Sequence, residues 1–333
     1  MVAEMCKARF AEQQPRPYHR RSTTGAGPGA AEQTATVDIP FGEKLVDPAF
    51  RILPGREPRA PVVMASPHSG RQYHDRFLAA SRLDPQAIRK SEDSFVDEIF
   101  EPATGRGAPL LAAEFPRAYC DVNREPYELD PAMFSGPLPG HANTRSLRVA
   151  GGLGTVPRVV ASGENIYRGK LPVGEAERRI RHYYRPYHAA LAELVDETMA
   201  RFGTCLVLDC HSMPSSALPR DRRRRPDRPD IVLGDRFGTS CTRYLTDLAD
   251  QFLTARGYRV TRNAPYAGGF CTTHYGRPGM GLHALQIEIN RALYMDERRF
   301  RRLPRLLDLS RDMADLVEVL GAAEQWDTAQ AAE

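Results

Sequence analysis

Short apolar runs that alternate with helical segments constrain the fold of this chain more than any other feature. The runs are Pro61–Ser66, Ala108–Glu114, Ala118–Val122, Thr204–Asp209, Asp230–Gly234, Tyr258–Thr261 and Ala284–Ile289. Helical spacing of apolar residues is found at 86–100, 174–201, 239–256 and 297–320, and Pro186 predicts a kink or a break in the second of these helices. Continuous apolar strands are typical of a parallel sheet that helices cover on both faces. The pattern therefore predicts an α/β fold with a mostly parallel sheet.

The two ends of the chain lack this pattern. Residues 1–36 are rich in Gln, Pro, Gly, Ala and Thr and have no apolar period, which predicts a disordered tail. A single folded domain is expected over residues 37–325, followed by a C-terminal tail at 326–333. Within the domain, residues 125–165 are predicted to form an irregular excursion rich in Pro and Gly, and residues 216–230 a basic loop.

Composition and charge argue against several classes of protein. The chain has 333 residues, of which 41% are hydrophobic and 26% charged, as in ordinary soluble domains. No run approaches the ~20 apolar residues of a membrane helix, and residues 1–10 do not resemble a secretory signal, so we expect a cytoplasmic protein without a membrane partner. The net charge is only +4, and acids and Pro226 interrupt the basic run Arg220–Arg228. A solvated loop is therefore favoured over a nucleic-acid surface.

The cysteines do not indicate a disulfide framework or a metal site. No pair has the C-x-x-C spacing, so we expect free and mostly buried thiols. Cys210 adjoins His211, which raises the possibility of a cysteine nucleophile. Adjacent residues of a strand point to opposite faces, however, and this works against a Cys–His pair there.

Histidines follow two of the apolar runs. His68 lies in the segment Ser66–Gly70 and His211 directly after Thr204–Asp209 and Cys210, where strand ends of a parallel sheet meet. Neutral imidazole is a good zinc ligand, and catalytic zinc sites commonly use three protein ligands and a water. Asp93 is a candidate for the third ligand. Hydrogen-bonded structural histidines and a helix-capping aspartate are the alternatives.

Glu288 lies inside an apolar strand, which is unusual for a glutamate. Gln286, Glu288 and Asn290 alternate with apolar residues and share one face of the strand. A buried glutamate paired with an arginine would explain this position. The functional hypothesis is a general base that takes a proton from the attacking water and returns it to the leaving amine.

Basic residues near a predicted strand end suggest a substrate with carboxylates. Arg117, Asn123 and Arg124 surround the run Ala118–Val122, and a guanidinium group binds a carboxylate or stabilises an oxyanion. Surface ion pairs are the alternative. A Gly-rich segment at 267–270 leads to His274 and is predicted to be a mobile substrate loop. His274 is then a candidate substrate contact, or else forms a hydrogen bond within the loop.

Ordered segments of the chain resemble the N-formylglutamate amidohydrolase family. These segments are Ser66–Gly70, Glu92–Asp97, Pro116–Arg124, Arg185–Leu191, Leu208–Met213, Asp230–Gly238, His274–Gly279 and His283–Arg291, with Tyr294 after the last. The resemblance extends over about residues 60–315. The family is similar to zinc carboxypeptidases, which implies a three-layer α/β/α sandwich around a mixed, mostly parallel sheet, as in zinc exopeptidases.

The resemblance also implies an activity and a set of site residues. It implies hydrolysis of N-formyl-L-glutamate to formate and L-glutamate at the end of a histidine degradation route, with Glu288 assisting the attack of water at the metal. The implied residues are His68, Asp93 and His211 for one Zn²⁺ per chain, Glu288 and Arg124 for catalysis, and Arg117, Asn123, His274 and Arg291 for substrate binding.

Two features depart from the family pattern and leave alternatives. Carboxypeptidase-like sites carry a glutamate ligand three residues after the first histidine, where this chain has Arg71. The carboxylate ligand therefore comes from elsewhere, and Glu92 and Asp97 are alternatives to Asp93. The basic run at 220–228 is not part of the family pattern. The alternative functions are hydrolysis of another N-acyl amino acid or a small peptide, and non-enzymatic nucleic-acid binding.

Overall fold

A mixed sheet organises the part of the chain that the computed structural model describes, namely residues 48–54, 59–216 and 228–323. The predicted tails at 1–36 and 326–333 lie outside these residues, as does most of the predicted basic loop. These domain boundaries therefore stay predictions.

Strands alternate with helices along the described part of the chain. The strands are β1 (Phe50–Leu53), β2 (Val62–Ser66), β3 (Leu110–Ala113), β4 (Phe134–Ser135), β5 (Leu171–Pro172), β6 (Cys205–Met213), β7 (Ile231–Gly234), β8 (Val260–Arg262), β9 (Leu282–Asn290), β10 (Met295–Asp296) and β11 (Arg301–Arg302). Seven of them form the sheet in the order β1-β3-β2-β6-β9-β7-β8. β3, β2, β6 and β9 are parallel, whereas β1 and β7 are antiparallel to their inner neighbours and β8 runs parallel to β7.

Helices cover both faces of this sheet. The α-helices are α1 (Asp75–Ala80), α2 (Val96–Phe100), α3 (Leu147–Ala150), α4 (Val173–Arg179), α5 (Arg185–Phe202), α6 (Arg243–Ala255), α7 (Phe270–Tyr275) and α8 (Leu306–Gly321). α2, α6 and α8 pack on one face, where Met64, Leu208 and Ile287 belong to the main hydrophobic core. α5 and α7 pack against the sheet on the other face. The predicted α/β/α fold with a mixed, mostly parallel sheet is confirmed.

The strand predicted at Ala118–Val122 is wrong. Residues 117–119 form a turn, and no residue of this segment joins the sheet. The cause is local, because the side chain of Asp121 accepts a hydrogen bond from the backbone N–H of Asn123 at 2.9 Å. Such an Asx-turn competes with strand pairing.

Two predicted helices are shorter than expected. The helix predicted at 86–100 is divided into a 3₁₀ turn at Ile88–Ser91 and α2, and Phe95 between them has a positive φ of 68°. The last helix begins at Leu306 and not near residue 297, because residues 295–302 form the β10–β11 pair and Pro304 disfavours helix in the preceding residue.

The long helix near the middle of the chain contains an irregular turn. α4 continues through a π-helical segment, Ile180–Tyr184, into α5, and Pro186 lies in the first turn of α5. A wider turn accommodates a proline, which lacks the N–H that a regular helix needs. None of the described helices is long and apolar enough to cross a membrane.

Candidate active site

Three buried side chains converge at the carboxyl end of the parallel strands. His68 follows β2, Asp93 follows the 3₁₀ turn Ile88–Ser91, and His211 lies near the end of β6. One ligand atom from each residue lies within 4.8 Å of the other two. The backbone N–H of Asp93 donates to the carbonyl of His68 at 3.0 Å, so the backbone itself fixes the spacing of two of the three residues. The three residues form a group that could hold a metal ion.

The orientation of the two imidazoles fits a cation. Nδ1 of His68 and Nδ1 of His211 lie 3.4 Å and 3.0 Å from the same carboxylate oxygen, Oδ2 of Asp93. On the far side of each ring, Nε2 lies 2.8 Å from a second carboxylate, Asp121 for His68 and Asp209 for His211. For His68, a proton held on Nε2 by Asp121 leaves the lone pair of Nδ1 for a metal.

One buried nitrogen atom bears on whether a cation fits these residues. Among the residues that the structure describes, Nδ1 of His68 has no hydrogen-bond partner, although the side chain is only 1% exposed. Buried polar atoms are nearly always paired. A set of two imidazoles and one carboxylate is a frequent ligand set of catalytic zinc. The residues therefore fit a zinc ion.

The structure brings Asp93, and neither of its two alternatives, to the histidines. Glu92 accepts hydrogen bonds from Tyr73, Arg89 and Ser94. Asp97 pairs with Arg51, with 2.5 Å between Nη2 and Oδ2. Both carboxylates are thus held by other groups.

The second oxygen of Asp93 is held by the protein. Arg291 donates through Nη2 to Oδ1 at 3.0 Å, and Ser212 donates to the same oxygen at 3.3 Å. Burial by itself raises the pKa of Asp93, but the hydrogen bond with His211 and the nearby imidazole of His68 outweigh it and hold the pKa well below its usual range. The guanidinium of Arg291 also contacts Ser212 and the carbonyl of Lys90, so Arg291 orients a candidate metal ligand.

Glu288 lies beside His211 on the neighbouring strand. The two residues are register partners of β6 and β9, and β7 covers the other side of β9. Gln286 donates to Oε1 of Glu288 at 2.8 Å. Burial raises the pKa of Glu288 to about 7, with His211 and Arg117 opposing the rise and Asp93 adding to it. A carboxylate with this pKa accepts and releases a proton near neutral pH.

The predicted arginines occupy different environments. Arg124 is buried, and its guanidinium donates to the carbonyls of Leu153 and Asn123 while lying 3.5 Å from Asp121. Burial lowers the pKa of Arg124 to about 10. Arg117 has a side chain that is 23% exposed, and it pairs through Nε with Asp121 at 2.9 Å. Within the described part of the chain this is its one hydrogen-bonded partner, which leaves its two terminal nitrogens for a ligand.

His274 lies on α7 and not in a loop. The segment Phe270–Tyr275 that follows the two glycines is helical, because the N–H of Thr273 and the hydroxyl of Thr272 bond to the carbonyl of Gly269. The half-buried His274 ring stacks on Phe270 with 5.0 Å between ring centroids. Its role as a substrate contact stays a prediction.

Cys210 lies on the opposite face of β6 from His211. Its side chain belongs to the hydrophobic core, and burial raises the pKa of its thiol well above the usual range. A buried neutral thiol is a poor nucleophile. The other described cysteines are also buried and free.

Sequence reasoning missed the partners of the two histidines and of Glu288. These residues are Asp121, Asp209 and Gln286. A signal existed for Asp209, because residues two apart on a strand share a face, and this places Asp209 beside His211. Asp121 was not identified because Ala118–Val122 was predicted to be a strand.

Comparison with known proteins identifies the family of the chain. The sequence profile of the N-formylglutamate amidohydrolase family matches residues 60–295. The chain belongs to this family. It is 29% identical to an N-formylglutamate deformylase of Pseudomonas putida and 30% identical to one of Pseudomonas aeruginosa, and each match covers 74% of this chain and 86% of the relative.

Solved structures extend the comparison to the fold. An N-formylglutamate amidohydrolase from Ralstonia eutropha superposes with a TM-score of 0.75 at 40% identity, over 81% of this chain and 95% of that one. A protein of Agrobacterium tumefaciens, only 18% identical, has a TM-score of 0.57 over 81% of this chain and 92% of its own, and shares the fold. This member of the amidohydrolase family therefore has the fold that its sequence predicted.

Proposed function

We propose that this protein is a zinc-dependent hydrolase that cleaves the amide bond of an N-acyl amino acid, and that its substrate is N-formyl-L-glutamate. The observation that carries the proposal is the cluster of His68, Asp93 and His211 with Glu288 beside it, in a chain whose relatives are named for this substrate. The products are formate and L-glutamate. The same proposal assigns the enzyme to the cytoplasm and to histidine catabolism.

The three ligands and the glutamate have separate tasks in this reaction. A zinc ion held by Nδ1 of His68, Oδ2 of Asp93 and Nδ1 of His211 would polarise the amide carbonyl and acidify a water molecule. Glu288 would act as the general base, taking a proton from the attacking water and later delivering it to the leaving amine. Gln286 fixes one oxygen of Glu288, so the carboxylate is held in one orientation.

A substrate carboxylate is proposed to bind Arg117. Its terminal nitrogens have no partner among the described residues. Burial lowers the pKa of Arg117, but the charges of Asp121, Asp93 and Glu288 together outweigh burial and raise it. Arg124 and Arg291, proposed earlier to act in catalysis and in substrate binding, hold protein carbonyls and carboxylates. We therefore propose that Arg124 and Arg291, together with Asn123, hold the residues of the site in place, and that His274 contributes to the substrate pocket.

Zinc content and chelation test the metal. Purified protein is expected to contain about one zinc per chain, and removal of the zinc is expected to abolish turnover until zinc is added back. Glu288→Gln is expected to retain zinc and lose most turnover, because no metal ligand is changed. Turnover that persists in protein shown to be free of metal would reject the mechanism.

A matched substrate panel tests the specificity. N-formyl-L-glutamate is compared with N-acetyl-L-glutamate, N-formyl-L-norleucine and a Glu-containing dipeptide. The expected result is the highest kcat/KM for the formyl compound with two carboxylates. Preference for the dipeptide or the acetyl compound would favour the alternative, an amidohydrolase for other N-acyl amino acids or small peptides.

A further inference from the structure

Asn123 contacts both Asp–His pairs of the site, one through its side chain and the other through its backbone N–H. Its Nδ2 is 3.0 Å from Oδ2 of Asp209 and 3.0 Å from Nε2 of His211. Its backbone N–H donates at 2.9 Å to Oδ1 of Asp121, the same oxygen that contacts His68. A single residue, only 2% exposed, thus contacts the carboxylate partners of both histidines.

The same side chain also anchors helix α7. Oδ1 of Asn123 accepts the backbone N–H of Cys271, in the first turn of α7, at 2.8 Å. Gly269 permits this contact, because a Cβ there would lie 2.4 Å from Oδ1 and 2.5 Å from Nδ2 of Asn123. Only a glycine lets the backbone approach so closely. Both polar atoms of the amide are therefore engaged by protein groups, and neither is left for a substrate.

We infer that Asn123 is a positioning residue that fixes the partners of both histidine ligands and ties them to the helix that carries His274. By holding Asp209 and Asp121 in place, Asn123 fixes the two carboxylates that face Nε2 of the imidazoles, and with them the orientation in which each Nδ1 faces Asp93. By binding Cys271, it couples the metal site to α7. The inference rests on the proposed function, since positioning of the histidines matters only if they hold a metal.

The metal affinity of a site depends on the groups that bond to the ligating side chains. Loss of a partner of a ligating histidine commonly weakens metal affinity by about 10- to 100-fold. Removal of the amide of Asn123 also leaves an oxygen of Asp209 and the N–H of Cys271 buried without partners. The effect of Asn123 is therefore expected on zinc affinity and on substrate binding, although both polar atoms of its amide are engaged by protein groups.

Two variants separate these effects. Asn123→Asp keeps the shape of the side chain and an oxygen for Cys271 but replaces the donor to Asp209 by an acceptor. Asn123→Ala removes both contacts. The matched control is Asn143→Asp, because the amide of Asn143 donates to Glu125 at 3.1 Å on the surface.

The measurements are zinc affinity, from competition of the metal-free protein with a chromophoric chelator, and the visible spectrum of the cobalt-substituted protein. Asn123→Asp is expected to bind zinc about 10-fold or more weakly and to change the cobalt spectrum, with a KM at saturating zinc close to that of the parent protein. Asn123→Ala is expected to show the same loss of zinc affinity and a higher KM. Asn143→Asp is expected to match the parent protein in all three.

The outcomes distinguish the inference from the proposed function. If the parent protein binds zinc and both Asn123 variants bind it within 2-fold of the parent, the inference is overturned and the proposed function stands. If the parent protein binds no zinc, both are overturned. Should Asn123→Ala fail to fold, Gly269→Ala replaces it, because the added methyl group would lie 2.4 Å from Oδ1 of Asn123 and so displace that side chain. Unchanged zinc affinity in Gly269→Ala and Asn123→Asp would again overturn the inference.

Discussion

Replacement of Glu288 by glutamine is expected to remove most turnover and at the same time to stabilise the metal-free protein at neutral and alkaline pH. Burial raises the pKa of Glu288 from 4.5 to about 7, so the folded protein binds a proton between these values that the unfolded chain has released. The free energy of unfolding therefore falls as the pH rises through this interval. Each pH unit contributes about 1.4 kcal/mol, which gives a cost of about 3 kcal/mol above pH 7.

Glutamine does not ionise, so Glu288→Gln escapes this cost. Urea unfolding of the metal-free proteins at pH 8 is expected to show the variant to be more stable by about 3 kcal/mol. The difference is expected to vanish below about pH 3.5, where the glutamate is largely protonated in both states. Glu193→Gln, an exposed change on α5, is the control and is expected to shift stability by less than about 0.5 kcal/mol. A stability difference for Glu288→Gln that does not depend on pH would refute the reasoning.

Three further predictions concern the pH profile, the substrate and the backbone. In the zinc-loaded enzyme kcat/KM is expected to rise with pH as Glu288 loses its proton. The midpoint of this rise is expected at or below about pH 7, because a bound cation favours the carboxylate, and a midpoint clearly above 7 would contradict the assignment. Arg117→Ala is expected to raise KM for N-formyl-L-glutamate about 10- to 100-fold with zinc content unchanged, because a charged hydrogen bond to the substrate is lost. A KM equal to that of the parent protein in steady-state assays would exclude Arg117 as the group that binds the substrate carboxylate. Gly70→Ala is expected to destabilise the protein by about 3 kcal/mol in urea unfolding, because a Cβ there would lie 2.0 Å from the carbonyl oxygen of Phe115. Gly105→Ala, where a Cβ would lie in open space, is the control and is expected to have little effect. Similar losses of stability in both variants would contradict the packing argument.

The sequence predicted the sheet and the positions of its polar residues because both depend on short-range patterns. Continuous apolar runs identify buried strands, and a polar residue directly after such a run lies at the edge of the sheet. These two rules were sufficient to select His68 and His211. The alternation of polar and apolar residues along β9 was sufficient to select Glu288.

The partners of these residues depend on contacts between distant parts of the chain. Nothing near His68 in the sequence indicates that Asp121 holds its Nε2, because the contact joins the loop after β2 to an Asx-turn. For the same reason Asp93 could not be separated from Glu92 and Asp97 by sequence. Tyr73 and Arg89 hold Glu92, and that contact is visible only in the folded chain.

The pairing of β6 with β9 has a consequence for how this family can tolerate insertions and deletions. The two strands stay in register along their whole length, and His211 lies opposite Glu288 near one end. Loss or gain of a single residue in the first part of β9 would exchange Glu288 with Ile287 or Ile289, and would turn the carboxylate into the apolar layer beneath α8. Length changes should therefore be confined to the loops before Leu282 and after Asn290, while β9 itself keeps a constant length.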